Sequence, residues 1–105
     1  MAMKTQLKKV TIVTERLLRD QILDLLRKHG ATGWSIALVE GEGSRGNRTS
    51  DFEGRNAQID TIVSPEAADA IMSDIAENYF ANWAIITYSS DVEVMRGEKY
   101  LGKNS

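Results

Sequence analysis

From Lys8 to Thr14 the chain reads KKVTIVT, with Val10 and Ile12 on one side of a period-two pattern and Thr11 and Val13 on the other. That alternation, rich in β-branched residues, predicts a strand. Thr14 is placed to cap a following helix, with Glu15 in a first turn where the helix dipole favours an acid. Leu18, Ile22, Leu25 and Leu26 then recur at helical spacing, and Arg16, Arg19, Asp20, Asp24 and Arg27 fill the polar side. Gly30, after Lys28 and His29, supplies the stop. Residues 33–40 (GWSIALVE) and 56–63 (NAQIDTIV) read as two further strands, the second with Ala57, Ile59, Thr61 and Val63 on one face. Ser64-Pro65-Glu66 opens a second helix, since serine suits the cap and proline the first helical position. Its buried stripe is Ala68, Ile71, Met72, Ile75, Ala76 and Tyr79. Residues 84–89 (AIITYS) form a fourth strand, with Asp91–Met95 either a short fifth or its continuation.

The order β-α-β-β-α-β is that of the α+β, ferredoxin-like split arrangement. Two helices then cover one face of an antiparallel sheet and leave the other face to be buried by something else. Trp34 or its alternate neighbours, together with Val63 or Ile62, must point to that second face and make it too apolar for water, so a homo-oligomer is expected. At 105 residues, with 42% apolar and 27% charged, the chain reads as a single domain over 1–105 with frayed ends at about 1–6 and 102–105. The net charge of −2 argues against charge-driven binding to nucleic acid or an anionic membrane. With no cysteine and one histidine, disulfides and thiolate metal sites are excluded and a histidine metal site has little to build on. Apolar runs are too short for membrane insertion, and a cytoplasmic setting with no metal cofactor is expected.

One segment exceeds what the fold needs. A β-β connection usually takes about two to five residues, whereas residues 40–55 (EGEGSRGNRTSDFEGR) run far longer and show no periodicity. This loop holds four of the eight glycines (Gly41, Gly43, Gly46, Gly54) together with Arg45, Arg48 and Arg55. Glycine lets backbone N–H groups close around an anion. Ser44 adds a hydroxyl, and Arg45 and Arg48 carry planar forks that grip phosphate oxygens in pairs. A solvated hairpin tip is the plain alternative. Gly41, Gly43 and Gly46 formally match G-x-G-x-x-G, but no helical stripe follows and the dinucleotide reading fails. The Walker pattern fails too, because Asn47 and Arg48 follow Gly46 where Lys and Ser/Thr are needed.

The stretch Gly-Glu-Gly-Ser-Arg-Gly-Asn-Arg at 41–48 is similar to the G-x-G-S-R-x-x-R stretch of carbon-regulatory PII-like signalling proteins, the SbtB type and the carboxysome-associated type. Residues 78–84 (NYFANWA) resemble their K-Y-F-x-x-Y, and the likeness spans about residues 8–97. It implies a homotrimer with adenine-nucleotide sites (ADP, AMP or ATP) in clefts between subunits and a loop at 40–55, the T-loop, that rearranges on binding. By resemblance, Gly33 and Ser35 lie near adenine, Ile62 packs on the purine, and Gly41 and Gly43 form the loop base. Ser44, Arg45 and Arg48 hold phosphates, and Arg96-Gly97-Glu98 matches a tail whose basic residues reach a phosphate across the subunit boundary. The loop has no tyrosine for nucleotidyl modification, the Gly-Asp-Gly-Lys phosphate loop of the nitrogen-type proteins is missing, and the cysteine-paired tail of many SbtB proteins is absent. The carboxysome-associated subgroup is therefore the nearer one. It implies bicarbonate as a second signal and a bicarbonate transporter or carboxysome component as partner, in control of inorganic carbon uptake.

Bland roles are expected elsewhere. His29 is a cap at a helix C-terminus, Trp34 and Trp83 are core or interface anchors, and Glu40 and Glu42 are solvated charges without a nucleophile beside them. No catalytic residue is expected. An RNA-binding ferredoxin-like module would need aromatics on the third strand, and residues 56–63 contain none. A small phosphate-ester hydrolase of the acyl-phosphatase kind would need a glycine-bearing arginine loop where this chain has Thr14-Glu15-Arg16.

Overall fold

The computed structural model describes residues 3–40 and 56–101. In chain order it contains β1 (Lys4–Glu15), a 3-10 turn (Arg16–Leu18), α1 (Arg19–Lys28), β2 (Ser35–Val39), β3 (Asn56–Val63), α2 (Pro65–Tyr79), β4 (Ile85–Met95) and a C-terminal 3-10 turn (Gly97–Leu101). The four strands form one antiparallel sheet in the order β2-β3-β1-β4. The βαββαβ order expected from the periodicity is the observed one.

The register decides which side chains are buried. Ile12 of β1 lies opposite Ile59 of β3 and Thr87 of β4, so Val10, Ile12 and Ile59 share the face beneath the helices. There they pack with Ile22, Leu25 and Leu26 of α1 and with Ala68, Ile71 and Ile75 of α2. On β3 the alternation is strict, with Ala57, Ile59, Thr61 and Val63 all buried. Val63 thus belongs to the helix-covered face and Ile62 to the other. Trp34 packs against the core cluster with Arg27 over its ring, 4.9 Å from the centroid. The opposite face carries Ile86 and Tyr88, which are 56% and 51% exposed and give it the apolar character expected of an unpartnered surface.

Several local expectations hold. Ser64 caps α2, its hydroxyl accepting from the Ala67 amide at 3.1 Å, and Pro65 opens the helix. Gly30 ends α1 at φ +91°, and the Ala31 amide donates to the Leu26 carbonyl at 3.0 Å, the bond that closes a left-handed helix stop. Residues 91–95 continue β4 and make no fifth strand.

Three expectations are corrected. Thr14 does not cap α1: it remains in β1, paired with Ala57 and Ile85, and its buried hydroxyl finds no hydrogen-bond partner among the described residues. The chain enters α1 through the Arg16–Leu18 turn, with Leu18 at the cap position and no side-chain cap bond. Ala76 is exposed, because the stripe of α2 facing the sheet narrows to Ala68, Ile71 and Ile75 flanked by half-buried Met72 and Tyr79. Residues 4–6 are not a frayed end, since they pair with Glu93–Met95 of β4.

His29 is the C-cap of α1, and it also reaches the second helix. Its Nε2 lies 2.8 Å from Asp74 Oδ2, the Asn78 side-chain amide donates to Asp74 Oδ1 at 2.7 Å, and Lys28 Nζ stands 3.4 Å from Oδ2. The Asp74 side chain is 11% exposed. The His29 hydrogen bond, supported by those from Asn78 and Lys28, outweighs burial and holds its carboxyl below the usual value of 3.8. A carboxyl whose pKa is depressed on folding stabilises the protein above its unfolded value, and that contribution disappears as pH falls through the folded one. Urea midpoints at fixed chain concentration should therefore fall below about pH 4. Asp74→Asn should lose about 1.5–3 kcal/mol at pH 7 and flatten part of the acid limb. A variant as stable as the parent at pH 7 would remove Asp74 from the account of helix docking.

Candidate functional site

On the open side of the sheet, where β2 and β3 meet the C-terminal turn, lies a cleft of about 460 Å³. That volume lies within the range of roughly 300–1,000 Å³ common to small-molecule sites. One wall is the chain entering β2, with Thr32, Gly33, Trp34 and Ser35. The floor is β3 with Asp60, Thr61 and Ile62, flanked by Lys9 of β1, and the remaining wall is Lys99 and Tyr100.

Each part is placed by the ladder or by a specific bond. Lys9 lies opposite Ile62, and Ser35 opposite Asp60, so strand pairing brings these four side chains to one face. Thr61 turns its hydroxyl back to the Gly33 carbonyl at 2.6 Å, which fixes the entry to β2. Asp60 is oriented by two donors, the Thr11 hydroxyl at 2.6 Å and the Gln58 side-chain amide at 3.2 Å. The Thr32 hydroxyl donates to the Lys99 carbonyl at 3.2 Å and ties the C-terminal turn to the rim. A side chain at Gly33 would meet nothing within 4 Å, so glycine there keeps the mouth open without being demanded by packing.

The electrostatics of the cleft are asymmetric. Lys4, Lys8 and Lys28 pair with Glu93, Asp91 and Asp74, whereas among the described residues Lys9 and Lys99 have no carboxylate partner. Lys99 Nζ stands 5.7 Å from the Tyr100 ring centroid. Two unpaired ammonium groups beside one hydrogen-bonded carboxylate suit a ligand with an anionic end and a polar, donor-bearing body. Among the described residues no cluster of histidine or acidic side chains is arranged to hold a metal ion, and no helix is long and apolar enough to cross a membrane.

Of the residues expected from sequence, Gly33, Ser35 and Ile62 come together in this cleft. Gly41, Gly43, Ser44, Arg45 and Arg48 lie outside the described residues. Arg96 and Gly97 do not line the cleft; they make the bend that brings Lys99 and Tyr100 to it. Arg96 takes φ +62°, and Gly97 is buried against Thr5, where an added Cβ would overlap the Thr5 Cβ and Oγ1 and lie 2.8 Å from its Cγ2. Lys9, Asp60, Lys99 and Tyr100 were not expected. Asp60 was the detectable one, a charge inside the otherwise strand-like QIDTIV.

The family model for nitrogen regulatory protein P-II matches residues 7–99. The chain belongs to the P-II family. Among solved structures, a protein of Thermus thermophilus described as PII-like signalling is 41% identical to this P-II chain, over 93% of it and 98% of that protein, with a TM-score of 0.82. CPII, a nitrogen regulatory PII-like protein of Thiomonas intermedia solved with ADP, AMP and bicarbonate, is 23% identical over 94% of this chain and 97% of its own, with a TM-score of 0.82. The same protein with ADP, AMP and acetate gives 24% identity, 94% and 98% coverage and a TM-score of 0.80. At that identity the likeness to CPII carries the fold, and the fold is the α+β sheet-and-two-helix arrangement described above. As a P-II protein the chain is a signalling protein.

The tight Gly97–Thr5 contact gives a direct stability test. Gly97→Ala forces a methyl group into the β1 edge and should cost roughly 1–3 kcal/mol, the usual range for overpacking. Urea titration followed by circular dichroism reads it, and an unchanged midpoint would mean that the C-terminal turn is not seated on β1.

Proposed function

We propose that this P-II chain is an adenine-nucleotide sensor whose cleft binds ADP, AMP or ATP and whose loop at 40–55 carries the signal. The observation that bears this reading is the convergence of Gly33, Ser35 and Ile62 on one cleft that also holds Lys9 and Lys99, which have no carboxylate partner among the described residues. Those three are among the positions that the family resemblance marks from sequence alone. Their meeting point combines an apolar surface of purine-binding character with positive charge for a phosphate.

In this reading the ribose and base lie along β2 and β3, and the phosphates point toward the loop base. There Gly41, Gly43, Ser44, Arg45 and Arg48 close around them, with Arg96-Gly97 of the tail nearby. The exposed Ile86 and Tyr88 on the open sheet face are covered in a homotrimer, which completes each cleft from a neighbouring copy. A ligand shifts the loop only by its different affinity for the two loop states, and typical coupling energies of about 1–3 kcal/mol suffice for a partner to read it. CPII binds ADP, AMP and bicarbonate, and with the G-E-G-S-R-G-N-R stretch this supports bicarbonate as a second signal. Regulation of inorganic carbon uptake or of carboxysome function follows, in the cytoplasm, through a bicarbonate transporter or carboxysome component and without catalysis.

Calorimetric titration of AMP, ADP, ATP and cyclic AMP, with and without bicarbonate, should show adenine-nucleotide binding, weakened by Arg48→Ala by roughly 1.5–3 kcal/mol as a charged hydrogen bond is lost. Equal affinity in the variant would take the loop out of the site. Light scattering should report a trimer, and a monomeric particle would contradict the shared cleft.

A further inference from the structure

The last described residues of the chain do not behave as a loose end. Chain termini are poorly ordered unless something ties them down, and here three features do. Arg96 bends the backbone through φ +62°, Gly97 is buried on Thr5 at a distance only glycine permits, and the Lys99 carbonyl accepts the Thr32 hydroxyl at 3.2 Å. The Lys99 amide also donates back to the Arg96 carbonyl at 3.2 Å and closes the turn. The outcome is that Tyr100 is held half-buried on the cleft.

Among the described residues two aromatic side chains, Trp34 and Tyr100, line this cleft, and their surroundings differ. Trp34 is committed elsewhere: it packs on the core and carries the Arg27 guanidinium over its ring. Tyr100 belongs to no core cluster, and among the described residues its hydroxyl has no hydrogen-bond partner, unlike that of Tyr79, which donates to Gln21 at 3.3 Å. Tyr100 lines the cleft with the Lys99 ammonium over its ring, 5.7 Å from the centroid, which leaves the other side of the ring and a positive charge for a ligand. Ile62 contributes an aliphatic surface to the same cleft from the sheet side. An aromatic plane and a branched aliphatic side chain on one cleft suit a flat heterocycle.

We propose that the Gly97–Leu101 turn is a built-in wall of the nucleotide site, on which Tyr100 stacks against the purine that Ile62 supports from the sheet. The proposal rests on the reading of the cleft as a nucleotide site and adds a base-contacting residue that the family stretch does not mark. Because the contact is made by the ring and not the hydroxyl, phenylalanine replaces tyrosine, and leucine, which keeps apolar bulk without a plane, does not.

The test is calorimetric titration of AMP and ADP into the full chain and into Tyr100→Phe, Tyr100→Leu and Tyr100→Ala, with circular dichroism confirming the fold of each. Stacking on a single ring corresponds to a loss of roughly 5- to 150-fold in affinity when the ring is removed. Tyr100→Ala should show that loss, Tyr100→Leu a smaller one, and Tyr100→Phe should stay within about twofold of the parent. On the unaltered protein, an intermolecular nuclear Overhauser effect from the Tyr100 ring protons to the adenine ring protons is expected. If the parent binds nucleotide while the leucine and alanine variants match it, or if that effect is absent, the wall is refuted and the nucleotide site stands. If the parent takes up neither nucleotide at millimolar concentration, the nucleotide reading falls and the wall with it.

Discussion

The pairing of β1 with strands on both sides is the constraint on which everything else in this molecule depends. β1 is hydrogen-bonded to β3 along one edge and to β4 along the other, so its register is fixed twice. A shift of one residue on either side would send Val10 and Ile12 to the open face and Lys9 and Thr11 beneath the helices. The same register that buries the core therefore delivers Lys9 opposite Ile62 and Thr11 within 2.6 Å of Asp60. Core and cleft are two faces of one ladder, and neither can be altered without the other.

From that frame the cleft is assembled by bonds of short reach. Thr61, a buried strand residue, bonds to the Gly33 carbonyl and holds the entry to β2. Thr32, one residue earlier, holds Lys99. A cleft built this way has a rigid floor and a C-terminal wall attached by a few specific contacts.

The fold was legible in the sequence because its signals are local. β-branched alternation in KKVTIVT and NAQIDTIV, the 3.6-residue recurrence of Leu18, Ile22, Leu25 and Leu26, and the Ser64-Pro65 start each depend on neighbouring residues alone. Thr14 shows where local reasoning fails. A threonine before an acidic residue is a good cap in isolation, yet two strand partners keep it in the sheet, its hydroxyl unpaired among the described residues. His29 shows a subtler gap, because its place at the helix end was readable but its bond to Asp74, 45 residues later, was not. The same holds for the cleft. Gly33, Ser35 and Ile62 were found through resemblance to related chains, while Lys9, Asp60, Lys99 and Tyr100 join them only through pairing between distant segments.

The central claim is that the space bounded by Ile62, Ser35, Lys9 and the C-terminal turn is where an adenine nucleotide sits. A crystal structure of the protein grown with ADP tests it most directly. The account predicts a purine resting on Ile62 within that space and phosphates directed toward the Gly41–Arg48 segment. A nucleotide bound elsewhere on the molecule, with this space filled by solvent alone, would contradict it.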